Sequence, residues 1–376
     1  MMQTDMAGLY IHVPFCLSKC RYCSFYSITS VDLMDTFVKA IVQEMAFYKD
    51  IFPSFDSLYF GGGTPSLLTT GQAKTLLDAA QKYFDIRPRA EITTEVNPGD
   101  VSLEYFQSLR REGVNRLNIG VQSFDDSLLK FLGRRHTAKQ AIESIETARN
   151  AGFKNLGFDL IYAVHGQNVK TWRQTLKKAL SFSPEHLSCY QLSLDCKTPL
   201  YKQYKQDGLE LPSEKEALDF FMSTSMILTE AGYIHYEVSN FARTRKFESR
   251  HNRKYWNHEP YLGLGPAAHS FFGNRRWWNK ANVKTYLKDI GSGKKPVARS
   301  EQLSNDELAL ESLFLGMRTA DGVNLESLKK LYGLDLLAVK KRIIGTLIDH
   351  QLVILKNNRL CPTLEGMALA DSLALI

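Results

Sequence analysis

"GLYIHVPFCLSKCRYCSFY", residues 8–26, runs an apolar, aromatic stretch straight into three cysteines. The stretch "GLYIHVPF" (8–15) has the composition of a strand. Cys16, Cys20 and Cys23 follow at C-x3-C-x2-C spacing, so the thiols stand at the C-terminal end of that strand.

Outward from this point the same rhythm recurs. Apolar or β-branched runs lie at 57–60, 90–96, 116–121, 156–164 and 186–194, with helix patterns at 31–50, 71–84 and 171–182 between them. Strands alternating with helices imply βαβ units and a parallel sheet. The count predicts an α/β fold, a partial (β/α)6 barrel; a doubly wound sheet fits the same rhythm. The strand ends carry Cys16, the Gly61-Gly62-Gly63 run, Glu95, Gln122 and Asp159. A barrel of this kind builds its site at the C-terminal ends of its strands.

The chain has 376 residues and is 44% hydrophobic, enough to bury a sizeable core. It lacks the run of about 18 apolar residues that a membrane-spanning helix needs. Residues 1–15 lack the basic region, apolar core and cleavage site of a secretory signal, so the expected location is the cytosol. Six cysteines in a chain of this length are no disulfide scaffold. The formal charge of +7 favours anionic partners without choosing among carboxylated small molecules, acidic lipid and nucleic acid. No dense basic recognition helix is evident, so no nucleic-acid partner is expected.

The rhythm divides the chain into a barrel over 1–235, a connecting region over 236–300 and a C-terminal module over 301–376. The module has helix patterns in "SNDELALESLFLGM" and "LLAVKKRIIGTLIDH", then two short apolar runs around "KNNR". Helices followed by a hairpin predict a helical, winged-helix-like fold, with no nucleic-acid role implied.

Three thiols admit three readings. A structural zinc site wants four protein ligands, so it would need His12 or a distant residue. An iron–sulfur cubane held at three corners leaves its fourth iron open to an outside ligand. The third reading is free thiols. Cys189, Cys196 and Cys361 are isolated and carry no expected chemistry.

The context of the triplet resembles the radical S-adenosylmethionine (SAM) superfamily, on the strand, the spacing, and Tyr22 before the last cysteine. "YFGGGTPSLL" (59–68) resembles that superfamily's glycine loop after the second strand. Within it, "LYIHVPFC", "YFGGGTPS", "TEVNPG", "RLNIGVQSF", "LGRRH" and "GFDLIYAV" resemble the oxygen-independent coproporphyrinogen dehydrogenases (HemN-like) and the HemW-type haem chaperones. The resemblance implies a [4Fe-4S] cluster on Cys16, Cys20 and Cys23. It implies SAM contacts at Tyr10, Gly62, Gly63, Thr64, Glu95, Gln122, Arg134, Asp159 and Ser193. Carboxylates at Glu95 and Asp159 suit ribose hydroxyls or an amino group, and Arg134 suits a carboxylate.

Three departures favour the chaperones. The dehydrogenases carry a further cysteine where this chain has Phe25, and a longer segment before the cluster. "HNRKYW" (251–256) matches the HNxxYW pattern of the chaperones. The resemblance therefore implies haem and acceptor haemoproteins as partners, the latter in solution or at a membrane surface, and no dehydrogenase turnover. His251 is the first candidate haem ligand, with His258 and His269 as rivals and His12 as a support for the cysteine loop. Tyr255, Trp256, Trp277 and Trp278 suit a flat ring. Arg243, Arg245, Lys246, Arg250, Arg253 and Lys254, near a single Glu248, suit propionates. A histidine and aromatic cluster that only joins two parts of the fold accounts for the same residues.

Overall fold

The computed structural model describes residues 6–206 and 208–373. Six parallel strands, β1 (Ala7–Val13), β2 (Phe55–Gly62), β3 (Ile86–Val96), β4 (Arg116–Gln122), β5 (Leu156–Tyr162) and β6 (His186–Gln191), pair in sequence order. Nearly every residue of β1, β4 and β5 is buried, as expected of parallel strands covered on both faces. The crossover helices start at sharp signals. Thr69 with Gln72, and Thr137 with Gln140, form reciprocal capping boxes, each worth roughly 1 kcal/mol.

The segment that reads as a connection supplies strands to both edges of this sheet. β7 (Ile234–Glu237) and β8 (Asn240–Ala242) extend it beyond β6. β9 (Tyr261–Leu264) pairs parallel to β1, and β10 (His269–Phe272), β11 (Arg275–Asn279) and β12 (Val297–Gln302) continue antiparallel. The result is one 12-stranded sheet whose end strands, β12 and β7, do not pair with each other, so the barrel is partial. These strands are three to six residues long, and apart from the short helix Arg250–Trp256 their connections hold no α-helix until Val283–Gly291; hence the βα rhythm fades although the sheet continues.

The C-terminal module has its own small core around Leu313, Leu328, Ile344 and Val353. Helices Asn305–Gly316, Leu325–Tyr332 and Lys341–Asp349 pack with a sheet of β13 (Val323–Asn324), β14 (Val353–Lys356) and β15 (Arg359–Pro362). The β14–β15 hairpin turns through Asn357 and Asn358, both at positive φ (51° and 57°), the backbone a tight hairpin requires.

Candidate functional site

The cysteine loop is an excursion clamped at its base. Cys16 donates its N–H to the Ile28 carbonyl (2.9 Å), and Ile28 donates to Pro14 (2.7 Å). His12, at the end of β1, holds the far side. Its Nε2 is 2.9 Å from the Tyr26 carbonyl, and its Nδ1 is 3.1 Å from the Tyr10 hydroxyl. A carbonyl can only accept, so the proton is on Nε2 and Tyr10 donates to Nδ1. Burial pushes this imidazole down to about 4, so it stays neutral.

The three thiols are half-buried and unlinked. The Thr64 hydroxyl donates toward the Cys16 sulfur (3.5 Å), and Arg134 Nη1 donates to the Cys20 sulfur (3.3 Å). Burial raises the Cys23 thiol. Donors aimed at sulfur offset part of the charge that deprotonated thiols would bring.

Gly62 and Gly63 lie where a side chain cannot. Gly62 has φ +111°, and an added Cβ would fall 2.5 Å from the His12 ring. One on Gly63 would fall 2.6 Å from the Phe15 carbonyl oxygen. The glycine loop therefore packs directly on the strand that leads into the cysteines.

Beside this loop opens a cavity of about 440 Å³, running from Tyr22 and Cys23 at the strand ends down to Ser249 and Asn252. Gly62, Gly63, Thr64, Glu95, Gln122, Arg134, Asp159 and Ser193 all line it. Glu95 accepts from the Tyr59 hydroxyl (3.0 Å) and from the Gly62 N–H (3.2 Å). Burial, with the neighbouring Asp159 charge, pushes its carboxyl up to about 7. Asp159 accepts from Asn118 at 2.6 Å on one oxygen, while the other is buried without a partner. Gln122 is held at φ +62°, a costly backbone for a non-glycine residue at a strand end.

Two expected SAM contacts stand differently. Tyr10 is behind the cavity wall, its hydroxyl on His12 and its ring stacked on His251. Arg134 faces the cavity but spends its guanidinium on Cys20, the Asn97 side chain (2.6 Å) and the Gly120 carbonyl (3.1 Å), leaving Nε unpaired. Asn97, Asn118, Tyr190 and Asn252 also line the cavity and were not singled out from sequence. Asn118 shares a face with Gln122 in a buried strand, and a polar residue there was a readable signal.

The "HNRKYW" stretch corrects the expectation of an open haem ligand. It forms the helix Arg250–Trp256, which plugs the N-terminal end of the barrel. Glu91 accepts from the N–H groups of Arg250 (3.0 Å) and His251 (3.4 Å) at its first turn. His251 is 1% exposed and lies against Gly8. Ser57 Oγ is 3.1 Å from its Nδ1 and Tyr255 Oη 2.9 Å from its Nε2. Both ring nitrogens are spent inside the fold, so neither faces an incoming iron. Four of the six cations are engaged too. Arg245 and Arg253 pair with Glu248 and Asp321, and Lys254 pairs with Asp56 and Glu259. Arg250 donates to the Asp56 and Arg89 carbonyls. Trp277 and Trp278 cannot share a ligand face, because successive strand residues point to opposite sides. Trp277 is buried against Tyr48, and Trp278 stacks on His269. His258 lies between Ser312 (3.0 Å) and Glu311 (3.2 Å).

With this geometry in view, comparison with known proteins is decisive. Residues 10–179 match the Radical SAM superfamily model and residues 303–369 the HemN C-terminal domain. A Lactococcus lactis protein named "Heme chaperone HemW" is 35% identical over 96% of this chain and 95% of its own length. A Bacillus subtilis protein of the same name is 33% identical over 97% of both. The chain belongs to the HemW family. A zebrafish relative, named as mitochondrial radical S-adenosyl methionine domain-containing protein 1, is 31% identical over 98% of this chain and 86% of its own length. The solved Escherichia coli coproporphyrinogen III oxidase (HemN) superposes with a TM-score of 0.85 at 24% identity, covering 99% of this chain and 89% of that one. At that identity it shows the shared fold.

Membership of the radical SAM superfamily implies a [4Fe-4S] cluster and SAM for this HemW-family chain. The residues present fit both. Among the described residues no three candidate ligands are gathered as a single metal ion requires. A cubane instead binds each thiolate through a different iron, so its ligands stand further apart. The orphan Asp159 oxygen and Arg134 Nε, the bare glycine loop and the cavity volume suit one polar, drug-sized ligand.

Proposed function

We propose that the chain is a haem chaperone, binding haem and passing it to acceptor haemoproteins on a radical SAM scaffold. The observation that carries this reading is full-length similarity to proteins of that name, at 33–35% identity. In it, Cys16, Cys20 and Cys23 hold the cluster. Gly62, Gly63 and Thr64 line the amino-acid end of SAM, Glu95, Gln122 and Asp159 its polar groups, and Ser193 the cavity rim. Arg134 serves by donating to Cys20 and presenting Nε to the cavity. A cluster of this kind supplies an open iron able to chelate SAM and donate an electron. What the chain adds is a cavity lined by polar and apolar groups, donors on two sulfurs and a glycine loop that lets backbone approach the ligand closely.

Phe25, 65% exposed beside the cysteine loop, stands where the dehydrogenases carry their extra cysteine. The chain is therefore expected not to convert coproporphyrinogen III to protoporphyrinogen IX. No helix among the described residues is long and apolar enough to cross a membrane. The proposed setting is the cytoplasm, with acceptors also met at the membrane surface, where a net charge of +7 favours an anionic leaflet.

The test is anaerobic reconstitution with iron and sulfide, then titration with SAM and with haem. The expected results are a four-iron absorption, a changed electron paramagnetic resonance spectrum of the reduced cluster with SAM, and a stoichiometric Soret band. Transfer of that haem to apo-myoglobin, and retention of coproporphyrinogen III under reducing conditions, complete it. Failure of the wild-type chain to bind haem, or sustained turnover of the porphyrinogen, overturns the reading.

A further inference from the structure

A histidine that is to ligate the haem of the proposed function needs one ring nitrogen free and within reach of the iron. The chain has nine histidines. His12, His235 and His251 are buried with both ring nitrogens bonded inside the fold. His186 and His136 are buried, bonded through Nε2 to Tyr236 and to the Val121 carbonyl respectively, with Nδ1 unpaired inside the fold, and His258 lies between Ser312 and Glu311. His165 and His350 are exposed loop and helix-end residues, each with Nδ1 on a backbone carbonyl and Nε2 free among the described residues. His269 alone is exposed with no hydrogen bond to either ring nitrogen among the described residues.

Its neighbours complete a site. β10, β11 and β12 are antiparallel and in register, so His269, Trp278 and Arg299 stand side by side in one rung on one face. The His269 and Trp278 rings stack at 5.5 Å with 19° between planes. The Arg299 guanidinium carbon lies 5.9 Å from the Trp278 ring. Arg299 is exposed and has no carboxylate partner among the described residues. Its strand neighbour differs: Arg276, one rung along, is consumed by Glu301 and Glu311.

We propose that this His269–Trp278–Arg299 rung is where the chain binds iron porphyrin, with His269 as axial ligand, Trp278 against the macrocycle edge and Arg299 paired with a propionate. The inference rests on the haem-chaperone reading and adds the place. It puts haem outside the barrel cavity, on the antiparallel extension of the sheet. The cavity, at about 440 Å³, is of a size for one ligand of SAM's class. The competing trio is His165, which stacks on Phe131 under Arg21. There His165 keeps Nε2 free, but Arg21 is already bonded to Gln203, so the cation for a propionate is partly spent.

The experiment is a haem titration of the cluster-loaded full-length chain and four variants, read by Soret position and affinity. His269→Ala should shift or lose the Soret band and weaken binding at least ~10-fold, the loss of an axial bond. Arg299→Gln should weaken haem binding by about 3- to 10-fold. It should bind haem dimethyl ester as the wild type does, because the ester has no charge to lose. His165→Ala and His251→Ala should leave the Soret position unchanged. All four variants should keep the SAM response, which reports an intact barrel. Unchanged haem spectrum and affinity in His269→Ala, or loss in His165→Ala instead, overturns the assignment while the chaperone reading survives. A wild-type chain that binds no haem removes both.

Discussion

The two ends of the barrel carry equally polar residues and use them in opposite ways. At the C-terminal ends of the strands, Asp159 keeps one carboxylate oxygen and Arg134 its Nε without a partner, both beside a cavity. At the N-terminal ends, His251 is bonded through both ring nitrogens, and Lys254 holds Asp56, Glu259 and the Met6 carbonyl. One end has hydrogen-bonding capacity left beside a cavity; at the other, His251 and Lys254 have spent theirs on closing the barrel, and the unpaired Trp256 Nε1 lines no part of that cavity. Composition does not separate the two. Unspent capacity beside open volume does, because a buried polar atom without a partner costs about 1–3 kcal/mol and persists for a reason.

The largest expected effect breaks the ligand-facing end outright. Cys16→Ala, Cys20→Ala and Cys23→Ala should each lose the broad visible absorption of the reconstituted cluster. Three variants that all keep it would leave that end without its metal and dissolve the contrast.

At the closed end the effect should be on stability. His251→Ala removes a fully buried ring and strands Ser57 and Tyr255, costing about 2–4 kcal/mol in anaerobic urea unfolding near neutral pH. Burial, then the Lys254 charge, holds this imidazole at about 3 in the folded chain, below its ordinary 6.5. Between those values the unfolded chain binds the proton and the folded chain does not, so this group's contribution falls as pH falls. The difference between wild type and His251→Ala should therefore shrink from pH 7.5 to pH 5. A constant difference would mean that His251 is not held neutral by burial.

Third comes a contrast between two glycines. Gly63→Ala drives a Cβ to 2.6 Å from the Phe15 carbonyl, and backbone cannot swing aside. It should cost roughly 1–3 kcal/mol and weaken the SAM response. Gly71→Ala, in the first turn of the helix Thr70–Tyr83 with nothing within 4 Å of the added carbon, should be neutral or slightly stabilising. Equal effects at both would show that the glycine loop does not need its close approach.

These contrasts also mark what was legible. The six parallel strands were readable because each is a short apolar run closed by helix signals, and their ends announced Gly62, Gly63, Glu95, Gln122 and Asp159. The edge strands β7–β12 were not, since they are short and no regular alternation of strand and helix joins them. Nor was the fate of "HNRKYW". Its histidine, aromatics and cations suit a haem site on composition, and only tertiary packing shows Glu91, Ser57, Tyr255 and Asp321 absorbing them. His269 hid for the converse reason: its partners Trp278 and Arg299 are near neighbours only across a sheet, which sequence spacing does not display.

The smallest expected effect tests a side chain that touches both ends. The Tyr59 ring stacks on His251 at 5.1 Å, and its hydroxyl donates to Glu95 at 3.0 Å. Tyr59→Phe keeps the ring and deletes the donor, so the closed end should be unaffected and the cost should be only about 0.5–1.5 kcal/mol. The informative readout is pH. Burial, with Asp159's charge, raises Glu95 to about 7, and the Tyr59 hydrogen bond opposes that rise. A carboxyl raised above its unfolded value stabilises the fold fully below about 4.5 and loses that contribution as pH climbs through about 7. Without the hydroxyl the carboxyl rises further, so the fall in the urea midpoint, which begins near the unfolded value in both proteins, should run on to a higher pH and be larger in Tyr59→Phe than in wild type. A fall that ends at the same pH in both would mean that Tyr59 does not tune Glu95. A changed pH dependence of the acid limb, where His251 acts, would mean that the two ends are coupled through the ring as well as through the hydroxyl.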